Sequence, residues 1–190
     1  MSIVSDIEKL KKEKNAVILA HYYVDEDVQD VADYIGDSFY LSKVATKVSQ
    51  DRIIFAGVEF MGESAKILNP KKRVFMPDMN ADCPMAHMAD KDEILALREK
   101  YDDLAVVCYI NSTAELKKYS DVCVTSSNAV KIVKNLPNKN IFFIPDRNLG
   151  SYVAKQCPDK NFIFNNGCCP RHVVITKEMV EKAKAEHPLA

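Results

Sequence analysis

Two of the six cysteines stand directly before a proline, Cys83-Pro84 and Cys169-Pro170, and each follows a strand-and-turn pattern. A thiolate held in a rigid turn is the donor that an iron–sulfur cluster takes. Each cysteine also has a histidine close behind it, as Cys83-x3-His87 and Cys169-x2-His172. Two thiolates and two imidazoles could equally close a tetrahedral zinc site. Those spacings are short for a zinc finger, and no other part of the sequence has a finger's pattern. The four residues therefore leave two readings open: cluster ligation by Cys83 and Cys169, or a non-enzymatic zinc-binding or interaction module using Cys83, His87, Cys169 and His172. Of the other cysteines, Cys108 and Cys123 lie in apolar runs and are expected to be small buried hydrophobes. Cys157 ends a helical pattern, and Cys168 shares a turn with Cys169.

The remaining candidates are polar residues placed just after apolar runs. His21, Tyr22 and Tyr23 follow Ala16–Ala20, and Tyr109 and Asn111 follow the run that starts at Ala105. Ser38 and the pair Ser126-Ser127 come just before helical patterns. A serine there is first of all a helix N-cap, satisfying backbone N–H groups. The same geometry also seats a carboxylate or a phosphate. His21 and Tyr109 taken singly could be rim or core residues. Their recurrence at one repeat distance favours a shared site.

The elements that must position these residues alternate. Strands are expected at Ala16–Ala20, Arg52–Ala56, Arg73–Met76, Ala105–Ile110, Val122–Thr125, Asn140–Ile144 and Asn161–Phe164. Helices are expected at Val28–Tyr34, Leu41–Val48, Gly62–Leu68, Ser112–Lys118, Ala129–Lys134, Gly150–Gln156 and Lys177–Glu186. That alternation predicts α/β architecture with parallel sheets covered on both faces, and ligands in such folds bind beyond the carboxyl ends of the strands. The second half repeats the first at 86 to 88 residues: His21 with Tyr109, Ser38 with Ser126, Ile53-Ile54-Phe55 with Ile141-Phe142-Phe143, Gly62 with Gly150, Pro70 with Pro158 and Cys83 with Cys169. So ordered a series implies two copies of one unit, with expected boundaries at 1–86 and 87–172. The helix in 173–190 reads as the opening of a third copy that is otherwise absent.

With 190 residues, 47% of them hydrophobic, 28% charged and a net charge of −1, the sequence has an ordinary soluble profile. No basic field points to nucleic acid. The apolar runs fall well short of the roughly 20 residues that cross a bilayer, and no signal-peptide pattern is read at the N-terminus. A cytoplasmic protein with reduced thiols is expected. There is no Walker loop, no dinucleotide-binding glycine pattern and no nucleophile elbow.

The runs Ala20-His21-Tyr22-Tyr23, Gly36-Asp37-Ser38, Gly57 through Ala65, Met79 through Ala86, Tyr109-Ile110-Asn111-Ser112, Thr125 through Ala129, Pro145 through Gly150 and Gly167-Cys168-Cys169-Pro170-Arg171-His172 together resemble quinolinate synthase. The resemblance covers essentially the whole sequence. It implies repeated three-layer αβα units with short parallel sheets, here two of the family's three domains related by a pseudo-threefold axis. It also implies one [4Fe-4S] cluster, held by a cysteine from each domain and with an open iron that acts as a Lewis acid. The implied reaction condenses iminoaspartate with dihydroxyacetone phosphate to quinolinate, losing phosphate and water, in NAD biosynthesis. By position Cys83 and Cys169 would be cluster ligands, and His21, Ser38, Tyr109, Asn111 and Ser126 substrate-binding residues. Tyr23 and Tyr109 would be the catalytic tyrosines. Two departures stand out. Asn165-Asn166 occupy the place where the family often has tryptophan, and His187-Pro188-Leu189 is not the family's later His-Pro-Glu-Cys segment. The expectation is a chain with two of three cluster ligands, weak activity, small-molecule substrates, and self-association through the face left by a missing third domain.

Overall fold

Short β-branched runs separated by helices can pair in parallel only through crossovers, and the chain folds in that way. The computed structural model describes residues 2–189. In order the elements are α1 (Ile3–Glu13), β1 (Ala16–His21), α2 (Glu26–Asp30), β2 (Tyr34–Gly36), α3 (Ser38–Lys47), β3 (Arg52–Ala56), α4 (Glu59–Leu68) and β4 (Arg73–Phe75). A 3-10 turn, Pro84–His87, leads into α5 (Lys91–Lys100), β5 (Leu104–Tyr109), α6 (Ala114–Lys118), β6 (Val122–Val124), α7 (Ala129–Asn135), β7 (Asn140–Ile144), α8 (Arg147–Gln156), β8 (Asn161–Phe164) and α9 (Lys177–Glu186). The strands form two all-parallel sheets, ordered β2-β1-β3-β4 and β6-β5-β7-β8. The expected α/β architecture of repeated αβα units is therefore the one observed.

The chain gathers into two compact units. One takes the chain up to Cys83 together with Ile110–Lys118; the other takes Pro84–Tyr109 and the chain from Tyr119 onward. In the first unit, Leu19 on β1 stands beside Phe55 on β3, both fully buried, with Leu41 and Ala45 of α3 equally closed to solvent. In the second, Val107 and Phe143 pair across β5 and β7. They share a core with Ala105, Ile141, Val133 of α7 and Val153 of α8. β5 is buried along five consecutive residues, as expected of a strand in a parallel sheet covered on both faces.

One device fixes the register in both units. Asp33 donates its N–H to the Ile18 carbonyl at 2.9 Å, and its carboxylate accepts the Ile18 N–H at 2.8 Å. Asp121 does the same with Val106, at 3.0 and 2.7 Å. Each aspartate also takes a cation from the helix that opens its unit: Lys11 at 2.8 Å from Asp33, and Arg98 at 2.9 Å from Asp121. Burial works against the Lys11 charge, but hydrogen bonds to Asp33 and Glu8 outweigh it and hold the ammonium above its ordinary range. A second matched pair closes the other side. Lys72 Nζ reaches the Ala45 and Val48 carbonyls at the end of α3, and Lys160 Nζ the Leu136 and Asn138 carbonyls past the end of α7.

Three expectations need correcting. The helix expected over Val28–Tyr34 ends at Asp30, and Tyr34–Gly36 is a strand. Its three residues add to the edge of β1, directly after Asp33, and are too short to show a period. Helices α3, α4 and α8 start three residues ahead of the expected positions. At α3 and α8 the aspartate before the helix caps it: Asp37 accepts from the Tyr40 N–H at 2.7 Å, and Asp146 from the Asn148 N–H at 2.9 Å. Finally, Cys123 is exposed. It sits mid-way along β6, an edge strand only one residue of which is buried, whereas Cys108 on β5 is fully buried as expected.

Asp121→Ala is expected to lower stability by about 1–3 kcal/mol in urea unfolding, because the fully buried Val106 N–H loses its acceptor. Arg98→Met, which removes a partly exposed ion pair and the guanidinium's hydrogen bond to the Tyr119 carbonyl, should cost about 1 kcal/mol. Acid should act at Asp103 as well. Backbone N–H groups of Asn140 and Lys139 hold its carboxyl below the usual range. Its contribution is thus present above the ordinary carboxylate pKa and lost as pH falls through the lowered one. Asp103→Asn should flatten the acid limb of a stability-against-pH curve.

Candidate active site residues at the carboxyl ends of the strands

His21 is the last residue of β1, paired in register with Gly36 at the end of β2. The imidazole is half-buried. Its Nδ1 accepts the Tyr23 N–H at 3.3 Å, and its ring meets the Tyr23 ring edge-on at 4.7 Å. Burial lowers its pKa, with the Asp37 charge opposing. The ring is therefore neutral at neutral pH, and an accepting Nδ1 assigns the proton to Nε2. His21 thus offers one N–H donor at the rim of the sheet.

Gly36-Asp37-Ser38 makes the neighbouring corner. A Cβ on Gly36 would lie 2.2 Å from Cδ1 of Tyr40, so glycine is what lets the Tyr40 ring fold back over the strand end. Asp37 takes the N-cap role expected of serine, and Ser38 becomes the first residue of α3. Tyr23 is 90% exposed, in the turn that follows His21.

The same positions recur in the repeat. Tyr109 ends β5, in register with Val124 at the end of β6, and is half-buried. Ser126 is exposed in the turn after β6, where the Asn128 Oδ1 accepts the Thr125 N–H at 2.7 Å and the hydroxyls of Thr125 and Ser127 lie 2.9 Å apart. Asn128, not Ser126, stands at the N-cap of α7. Asn111 is the repeat partner of Tyr23, 88 residues on, a correspondence that the sequence reading passed over. Its Oδ1 is buried and accepts no hydrogen bond. The first unit also holds the helix that follows Asn111: Glu63 on α4 accepts the Ala114 N–H at 2.8 Å, and Lys117 donates to the Ser64 Oγ at 2.9 Å. Glu63 is a supporting residue that sequence reasoning missed.

Cys83 and Cys169 are both half-buried thiols in the loops beyond β4 and β8, the fourth strands of their sheets. The Cys83 N–H donates to Asp82 Oδ1 at 2.7 Å. The Cys169 carbonyl accepts from the N–H groups of His172 and Val173, at 3.1 and 3.0 Å, which turns the chain sharply after the cysteine. His87 and His172 are exposed. Among the described residues, no three His, Cys, Asp or Glu side chains come together as a metal-binding group. No helix among them is long and apolar enough to cross a membrane.

Two all-parallel sheets flanked by helices, with imidazole, phenol, amide and hydroxyl groups at or beyond the strand ends, define an α/β protein of repeated units. The model of the quinolinate synthetase A protein family matches residues 5–190, and the chain belongs to that family. It is 63% identical over 184 residues to a quinolinate synthase of Fusobacterium nucleatum, covering 97% of this chain and 62% of that relative. It is 54% identical over 188 residues to one of Caldicellulosiruptor saccharolyticus, covering 99% and 62%, and 52% identical over 181 residues to one of Clostridioides difficile, covering 95% and 60%. The chain thus spans somewhat under two thirds of the length of these relatives.

In a proton NMR titration the His21 ring is expected to stay neutral to a pH below the ordinary value of about 6.5, with nitrogen shifts of the Nε2–H tautomer. Because the lowered pKa belongs to a base, stability should fall as pH drops below the unfolded value. His21→Gln should remove that part of the dependence.

Proposed function

We propose that the chain carries part of a quinolinate synthase active site, condensing iminoaspartate with dihydroxyacetone phosphate to quinolinate with loss of phosphate and water. One observation supports this above the others. In a chain of this family, the pairs His21/Tyr109, Ser38/Ser126 and Tyr23/Asn111 occupy matching places beyond the strand ends of a repeated unit.

The residues present fit the family's cluster in donor type. Cys83 and Cys169 are soft, partly exposed thiols on turns at equivalent places, and they would serve as two of the thiolates of a [4Fe-4S] cluster. When bound, such a cluster supplies a Lewis-acidic iron. The protein's own groups bind and orient. The His21 Nε2–H would donate to a carboxylate or phosphate oxygen without adding charge. The Ser38 and Ser126 hydroxyls would hold further anionic oxygens. The Asn111 Oδ1, buried and accepting no bond, would take a hydroxyl or imine proton of the substrate. The phenol oxygens of Tyr23 and Tyr109 would hold or pass protons. Thiols kept reduced for this purpose suit the cytoplasm.

The test is iron and acid-labile sulfide per chain after anaerobic purification. Iron and sulfide are expected in equal amounts, up to about four of each, the content of one cubane cluster, with weak activity from a chain that supplies two of its thiolates. Cys83→Ser and Cys169→Ser should each lower both several-fold, while His87→Ala and His172→Ala leave them unchanged. A protein without iron whose metal is lost with either histidine would refute the proposal.

A further inference from the structure

Asn165 lies just past β8, four residues ahead of Cys169, and is 3% exposed. Its Nδ2 donates to the Met88 carbonyl at 2.7 Å, a bond that spans 77 residues of chain. Its Oδ1 is buried and accepts nothing. Met88 closes the 3-10 turn that starts directly after Cys83, its N–H donating to the Met85 carbonyl at 3.1 Å. Met85 and Ala86 of that turn are buried. Thus one side chain joins the segment leaving Cys83 to the segment approaching Cys169.

The surroundings leave that junction little freedom. A Cβ on Gly167 would fall 2.3 Å from the Pro145 carbonyl oxygen, and 2.9 Å from both Asn165 Nδ2 and Met88 Cβ. The Gly167 carbonyl accepts the Arg147 N–H at 2.8 Å, at the start of α8. A buried acceptor with no donor is costly, and an apolar side chain at position 165 would avoid that cost. It could not hold Met88.

We propose that Asn165 is a positioning residue for Cys169, fixing the turn ahead of that cysteine to the 3-10 turn Pro84–His87 of the same unit. The proposal rests on the reading of both cysteines as cluster ligands. The bond supplies what the Cys169 thiolate needs: a backbone that does not drift when the cluster binds.

The experiment compares the full chain with Asn165→Leu and with Asn165→Asp, which keeps the shape and loses the donor to Met88. Thiol alkylation in the metal-free chain is followed cysteine by cysteine, and the iron–sulfur absorption and electron paramagnetic resonance spectra are recorded after anaerobic loading. In both variants labelling of Cys169, already partly exposed, should rise a few-fold as its turn loosens, on the order of what one lost hydrogen bond allows. Cys108 and Cys157 should stay protected, and the spectrum of the loaded protein should change. Labelling and spectrum both unchanged would overturn the proposal. A parallel rise at every buried thiol would also overturn it, since general destabilisation would then explain the effect. Failure of the unaltered chain to take up iron and sulfide would overturn the cluster reading itself, and is seen before any variant is compared.

Discussion

Everything at the rim of each sheet depends on where its edge strand begins. β2 and β6 are three residues each, too short to hold register by ladder bonds alone. The aspartate before each strand supplies the missing rung, because its carboxylate stands in for a backbone carbonyl and takes the N–H of Ile18 or Val106. The same carboxylate faces the cation of the opening helix. One residue thereby ties helix, central strand and edge strand. A slip of one position would turn every side chain of β2 or β6 to the other face, and with it the corners that present Ser38 and Ser126.

From that fixed register the chemistry follows by position. His21 and Tyr109 are the last residues of the central strands, and each is half-buried there. Burial keeps the imidazole neutral and the Tyr23 amide orients it, which makes it a donor of fixed direction. The two units do not use identical groups at matching places. Imidazole corresponds to phenol in one pair and phenol to amide in another, and only the third pair, serine with serine, is alike. A repeated scaffold thus carries unlike side chains at two of its three matching places.

Much of this was legible in the sequence, and the limits are physical. Seven strands showed as β-branched runs, and β3, β7 and β8 fall at the expected bounds. β2 was invisible to periodicity, yet it lies 88 residues before β6, so carrying the repeat through would have placed it. Counting the same interval from Tyr23 leads to Asn111. Asp37 and Asp146 gave no sign that they, rather than later residues, start their helices, because capping depends on backbone angles. Exposure of Cys123 follows from the open edge of β6, which an apolar run does not reveal. The bond from Asn165 to Met88 joins residues with no local relation in sequence, and only the folded chain brings them together.

The first unit is not a continuous stretch of chain, since Ile110–Lys118 belongs to it although β5 of the second unit precedes that segment. During synthesis from the N-terminus, β1 to β4 are complete well before α6 has been made. Glu63 and Ser64 on α4 must wait for Ala114 and Lys117. The first unit therefore cannot close as soon as its four strands have been made. It is finished only once β5, a strand of the second unit, has also been made.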